Sequence, residues 1–257
     1  MNNNQDYIIC IPSFDRPLII INKTLKLLRN YNIPNSQIII FLKDQEQMNL
    51  YKDIVANYNL VLTGASGIMD TRNFLQNFIT HETDYEQVLF LDDDLDAIYK
   101  MDQPLEDLNE FVIEGFKKTK ELGLNVFGVS PFHNKFYMKD NVSTTLKYCA
   151  GACFGQIFDR KKDLILSDIG HGEDFEFCIQ IFNRDGGIVR FNNVAIKTKY
   201  FEKEGGICGS LGGLQNRKIE MENNCRWLAE TYPDACRLIY KKYGADIRLN
   251  YRYKIKK

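Results

Sequence analysis

Over the first hundred residues, four short apolar runs alternate with stretches whose apolar positions recur at helical spacing. "YIICI" reads as a buried strand that Pro12 stops, and "INKTLKLLRNY" follows with Ile21, Leu25 and Leu28 on one helical face. "QIIIFL" is a second strand, followed by a polar helix in "DQEQMNLYKDIVANY". "NLVLTG" is a third, its end marked by Gly64 and Gly67, and a helix is expected to begin near Asp70 or Thr71. "QVLFLD" is the fourth. This β-α-β-α-β-α-β order predicts an α/β fold, a mostly parallel sheet flanked by helices, with ligand groups at the carboxyl ends of its strands.

Four polar clusters fall at those ends: Ser13 to Arg16, Lys43 with Asp44, Gly67 to Asn73, and Asp92 to Asp94. One shared edge implies one shared site. The second half is less regular. It predicts a helix near 106–122, strands in "NVFGVS" and "ACFGQIF", and a helix from about Glu173. A strand in "VRFNNVAIKTKY", a glycine-rich loop and closing helices complete it. No repeat or low-complexity linker interrupts the chain, so 1–257 is expected to form a single domain.

Composition narrows the class. The 257 residues are 44% hydrophobic and 26% charged, which argues against a wholly disordered chain. A formal net charge of -1 gives no global sign of a nucleic-acid partner, although "RLNYRYKIKK" concentrates basic and aromatic residues at the C-terminus. That tail is either a phosphate-tracking segment or a solvated terminus. Seven scattered cysteines without a CxxC pair suit reduced thiols and a cytoplasmic setting. No apolar run reaches membrane-span length, so no membrane partner is expected.

The chemistry starts at "VLFLDDDLDAI". Adjacent carboxylates repel one another and resist desolvation, so cations, donors or water must offset them. Asp92 and Asp94 form Asp-x-Asp at a strand end, where hard oxygen ligands suit Mg²⁺ or Mn²⁺ shared with phosphates. The alternative is a solvated acidic loop. In "IPSFDR", Ser13, Asp15 and Arg16 supply a hydroxyl, an acceptor and a bidentate donor, and the same residues with Pro17 suit a helix start. In "GASGIMDTRNFL", a helix N-terminus capped by Asp70 or Thr71 would face the ligand, with Arg72 and Asn73 projecting toward it, the alternative for Arg72 being a surface salt bridge.

Further along, "DIGHGEDFEFCIQIF" sets Glu173 and Asp174 in the first turn of a helix, where the positive helix end favours ionised carboxylates. An ionised acid there can take a proton from an acceptor hydroxyl. "KTKYFEKEGGICGSLGGLQNRK" lacks the phosphate-loop pattern and reads either as a lid or as an ordinary surface loop. Cys149, Cys153 and Trp227 are expected in the core.

Taken in order, "IPSFDR", "KTLKLLRNYNIPNSQIIIFLKD", "GIMDTRNFL" and "LFLDDDL" resemble the TET-associated glycosyltransferases, relatives of the nucleotide-sugar-dependent GT-A enzymes, and "HGEDFEF" extends the likeness. The resemblance implies a Rossmann-like GT-A fold, with 1–100 binding a nucleotide sugar and 101–257 binding the acceptor. It implies sugar transfer, from a UDP-sugar and with inversion, to the hydroxymethyl group of a modified pyrimidine in DNA. Pro12, Ser13, Asp15, Arg16, Asp44, Gly67, Arg72 and Asn73 would line the nucleotide pocket. Asp92, Asp93 and Asp94 would bind ribose, sugar and metal, and Asp174, beside Glu173, would match the general base. No histidine follows His171 to serve a metal, so Lys197 or Lys199 is expected to neutralise the diphosphate. The competing classes are a GT-A enzyme with a glycan or protein acceptor, a nucleotidyltransferase or metal nuclease, and a non-catalytic nucleotide-sugar-binding module.

Overall fold

The computed structural model describes residues 7–198, 214–242 and 244–255. The four apolar runs become β1 (Ile8–Pro12), β2 (Ile38–Leu42), β3 (Asn59–Leu62) and β4 (Gln87–Leu91), all parallel in the order β3-β2-β1-β4. Between them lie α1 (Pro17–Asn22), α2 (Thr24–Asn30), α3 (Gln45–Val55) and α4 (Gly67–Glu82). The predicted first helix is thus two short ones, broken at Lys23, whose ψ of -95° is not helical.

The remaining elements are β5 (Ala97–Lys100), β6 (Gln103–Pro104), α5 (Leu108–Glu121), β7 (Val126–Ser130), β8 (Val142–Ser143) and β9 (Cys153–Ile157). They are followed by α6 (Glu173–Asp185), β10 (Val189–Lys197), α7 (Leu214–Thr231), β11 (Cys236–Lys241) and β12 (Gly244–Leu249). The large sheet continues as β4-β9-β7-β10-β5-β6, with β8 beside β10. Strand β9 runs antiparallel to both β4 and β7, so β7 and β10 point the same way as β1 to β4. The carboxyl ends of six strands and the amino end of β9 therefore share one edge.

Alternate side chains of the central strands feed two cores. Ile9 and Ile11 pack with Leu25, Leu28, Tyr51 and Val112 under α2, α3 and α5. Ile8 and Cys10 face the other layer with Leu75, Ile79, Ile179 and Leu228 from α4, α6 and α7. Each such fully buried aliphatic side chain contributes about 1.5–3 kcal/mol, which fixes the strand ends and hence the polar groups they carry. Cys149 and Cys153 lie in the core, and Trp227 packs against it half-buried.

Two further expectations differ from the structure. Helix α4 begins at Gly67, a turn earlier than expected, with Ser66 at its N-cap; Asp70 therefore lies inside the first turn and caps nothing. The closing helices are one helix, α7, followed by the antiparallel hairpin β11–β12. The period of two in "GADIRL" is a strand signal that the helical reading of this region overlooked.

Candidate active site

The carboxyl ends of β1 to β4 surround a cleft of about 280 Å³, lined by Pro12, Ser13, Phe14, Arg16, Phe41, Lys43, Thr63, Ala65, Ser66, Gly67, Ile68, Thr71, Asp92 and Asp93. All four polar clusters read from the sequence contribute to its lining, the second through Lys43. Asp93 forms its floor and is almost fully buried, accepting from Ser13 Oγ at 2.5 Å and pairing with Arg16 Nη2 at 2.5 Å. Arg16 Nη1 reaches Asp94 Oδ2 at 3.3 Å, and Thr198 Oγ1 donates to Asp94 Oδ1 at 2.9 Å. Arg72 Nη2 donates to Asp92 Oδ1 at 3.0 Å. The repulsion within the triplet is thus offset by two guanidinium groups and two hydroxyls rather than by water alone.

The backbone beneath these acids is fixed by a residue the sequence did not single out. Thr24, fully buried at the start of α2, donates to the Asp92 carbonyl at 2.7 Å and accepts from the Leu95 N–H at 2.9 Å. The Ser13 loop is held likewise. Tyr51 lies 2.8 Å from Ser13 Oγ and accepts from the Arg16 N–H at 2.8 Å, while Gln47 accepts from the Asp15 N–H at 2.8 Å. Asp15 sits at φ 56°, the left-handed region that Asp tolerates better than most residues. Neither Ser13 nor Asp15 caps α1, whose N-cap is Arg16 without a side-chain hydrogen bond, although Pro17 does open the helix as expected.

A smaller hollow adjoins the cleft, lined among others by Arg72, Asn73, Gly151, Glu173, Asp174 and Phe177. Arg72 joins the two, because the nitrogen that meets Asp92 also donates to the Gly151 carbonyl at 2.9 Å. Gly151 lies against the acid pair: a Cβ built there would stand 3.1 Å from Asp174 Cβ and 3.7 Å from Arg72 Nη2. Glu173 and Asp174 open α6 as predicted, behind Gly172 in the left-handed conformation. Asp174 accepts from the Tyr148 hydroxyl and from the Phe175 N–H, and the Tyr148 ring packs at a tilt against Phe175 with centroids 4.4 Å apart.

Electrostatics follow from this burial. Desolvation pushes the Asp93 carboxyl up to about 7 against the pull of Arg16 and Ser13, and raises Asp94, with Asp92 adding to the effect. Burial opposes the charge on Arg16, but the three aspartates outweigh it and raise its pKa. Burial, then the neighbouring Asp174, pushes Glu173 to about 8. Asp174 is also raised by burial, with the Tyr148 and Phe175 hydrogen bonds acting the other way. His171 is pushed down to about 4 by burial and by Arg217, which leaves it neutral near pH 7. Two buried guanidinium nitrogens, Arg16 Nε and Arg72 Nη1, have no hydrogen-bond acceptor among the described residues. Both belong to side chains lining these hollows and retain capacity for an anionic ligand.

Other candidates stand elsewhere. Asp44 caps α3, accepting from the Gln47 N–H at 3.0 Å, with Lys43 Nζ at 3.8 Å. Asn73 is spent on the backbone of Ser167, and the Asp15 side chain is exposed. Lys197 ends β10 beside Thr198, so it does lie at the shared edge, and its carbonyl accepts from the Asp96 N–H. Lys199 and the glycine-rich loop lie outside the described residues. Tyr51, Tyr148, Gly151 and Thr198 were not singled out, because each is one polar or small residue whose partner lies many positions away.

Among the described residues no group of three or more His, Cys, Asp or Glu side chains is placed to hold a metal ion, and no helix is long and apolar enough to cross a membrane. No curated protein matches the chain. Among solved structures, it is similar to a mycobacterial protein at 9% identity and a TM-score of 0.52, covering 97% of this chain and 84% of that one. It is also similar to glucosyl-3-phosphoglycerate synthase from Mycobacterium tuberculosis, solved with Mn²⁺, UDP and glucosyl-3-phosphoglycerate, at 10% identity and a TM-score of 0.51, covering 97% and 88% of the two chains. These likenesses establish the GT-A fold, a mostly parallel sheet flanked by helices. Residues 7–206 match the family described as TET-Associated Glycosyltransferase, and with that match over most of its length the chain belongs to this family of glycosyltransferases.

Proposed function

We propose that the enzyme transfers a sugar from a nucleotide sugar, a UDP-sugar, to the hydroxymethyl group of a modified pyrimidine in DNA, with inversion. The observation that carries this reading is the adjacency of the two acid groups. Arg72 touches Asp92 on one side and, on the other, the carbonyl of Gly151, whose missing side chain would meet Asp174. A donor in the larger cleft and an alcohol in the smaller hollow would thus meet at one boundary. The family description, TET-Associated Glycosyltransferase, supports the acceptor.

In this mechanism Pro12, Ser13, Arg16, Gly67 and Asp93 form the walls of the donor cleft. Asp174 takes the proton of the hydroxymethyl oxygen as that oxygen bonds to the anomeric carbon. The bond from that carbon to the diphosphate oxygen breaks in the same step, and the nucleoside diphosphate departs. Tyr148 orients the base. Glu173, kept protonated near neutral pH by burial and by Asp174, adds no second negative charge beside it. Such a base contributes about 10²–10⁴-fold to the rate.

The carboxylates suit a divalent cation shared with phosphate rather than a protein cage. Asp92 spends only Oδ1 on Arg72, and Asp94 shares its oxygens with Arg16 and Thr198. Asp92 and Asp94 would hold Mg²⁺ or Mn²⁺, and the ion would supply charge neutralisation at the leaving diphosphate. A base inside a duplex must be extruded to reach the smaller hollow.

Mass spectrometry of nucleosides, after hydroxymethylated DNA is incubated with a panel of nucleotide sugars, tests the reading. A glycosylated hydroxymethylpyrimidine is expected, with UDP released. Asp174→Asn should lower transfer at least 100-fold and leave donor affinity unchanged. Transfer to polysaccharide or protein but not to DNA refutes the acceptor, and an unimpaired Asp174→Asn enzyme refutes the base.

A further inference from the structure

Charge is distributed unevenly along this chain. Residues 236–257 hold eight of the 33 basic residues and one of the 34 acidic ones, so this stretch carries +7 and the rest -8. Most of it folds as β11–β12 and lies beyond residue 206, where the family match ends.

The hairpin has two different faces. Cys236, Ala245 and Ile247 are buried against Cys225 and Leu228 of α7. On the opposite face Arg237 stands directly across from Arg248, and both are exposed. Like charges in that position destabilise a strand pair. Neither guanidinium has an acidic partner among the described residues; the one carboxylate on this face, Asp246, pairs with Lys241. Arg252, over the ring of exposed Tyr251, and Lys254 continue the basic surface.

We infer that this hairpin is a docking ribbon for the phosphate backbone of duplex DNA, with Arg237 and Arg248 taking phosphate oxygens. A repeating anion resolves the opposed pair, and two adjacent guanidiniums suit a strand whose charges are regularly spaced. The ribbon also sits on the acceptor side. Tyr253 packs its ring at a tilt against Phe182 and donates to Asn183 near the end of α6, the helix that Glu173 and Asp174 begin. Those ends are roughly 14 Å apart along the axis, less than half a turn of duplex. The inference rests on the DNA-acceptor reading for its biological sense, but its test does not.

Binding of unmodified duplex DNA, followed by fluorescence anisotropy at several salt concentrations, needs no sugar transfer. Wild-type protein should bind, and Arg237→Gln with Arg248→Gln should reduce the slope of log affinity against log salt by about 2. Arg237→Glu separates binding from folding, because it creates a cross-strand pair with Arg248: the melting temperature should hold or rise while DNA affinity falls. An unchanged salt slope in the double variant overturns the ribbon even if sugar transfer to DNA is observed. Absence of wild-type DNA binding, with binding to anionic phospholipid vesicles instead, overturns it too. A reduced slope in an enzyme that glycosylates no DNA sustains the ribbon and refutes only the acceptor.

Discussion

The side-chain amide of Asn73 pairs with both backbone groups of Ser167, accepting from its N–H at 2.7 Å and donating to its carbonyl at 2.9 Å. Ninety-four positions separate them in sequence. The contact ties α4, which carries Arg72, to the loop that leads into Glu173 and Asp174. Asn73→Ala should cost about 1–3 kcal/mol in urea denaturation, since it leaves two backbone groups without partners. It should also raise the acceptor KM more than the donor KM.

Thr24 supports the acidic triplet from below. Thr24→Val keeps the shape but strands the Asp92 carbonyl and the Leu95 N–H in a buried setting. The expected loss is about 2–4 kcal/mol, with weaker donor binding in calorimetry.

Tyr148→Phe removes a hydrogen bond that holds the Asp174 pKa down. The acidic limb of the kcat profile should therefore move to higher pH, because the base must be ionised to act. Donor affinity should be unchanged.

Glu176, fully buried in α6, accepts from the Asp168 N–H at 3.0 Å and from Gln180 at 3.0 Å. Burial pushes it up to about 7 from an ordinary 4.5. A raised acid binds its proton more tightly folded than unfolded. Its contribution is complete below about 4.5 and is lost as pH rises through about 7. Glu176→Gln should flatten that part of the stability profile, as measured by urea denaturation between pH 5 and 8.

Strands β1, β2 and β4 were legible because they are uninterrupted apolar runs, the pattern of a strand buried on both faces; β3, at the exposed edge, was legible from its apolar run and the glycines that follow it. The acids of β4 and α6 were legible because clustered carboxylates are costly without a purpose. What escaped has a common cause. Asn73 grips Ser167 rather than projecting toward a nucleotide, and Thr24 is one polar position in an amphipathic helix; a side-chain-to-backbone contact leaves no periodic trace. The start of α4 was misjudged because Asp70 and Thr71 are strong cap formers, whereas Gly67 tolerates the φ of 88° found there. In the hairpin, Ile239 shares the outer face with Arg237 and interrupts the alternation of β11, whereas β12 keeps it.

The reversed direction of β9 has an architectural consequence. Because it runs against β4 and β7, its entry rather than its exit meets the acids, delivering Gly151 and Tyr148 to the site from a segment that belongs to no β-α unit. The part of the excursion that precedes Tyr148 can thus be lengthened or rewritten without shifting a strand that bears the triplet or the residues that seat the base. Evolution can exchange the clientele of such an enzyme while leaving its engine untouched.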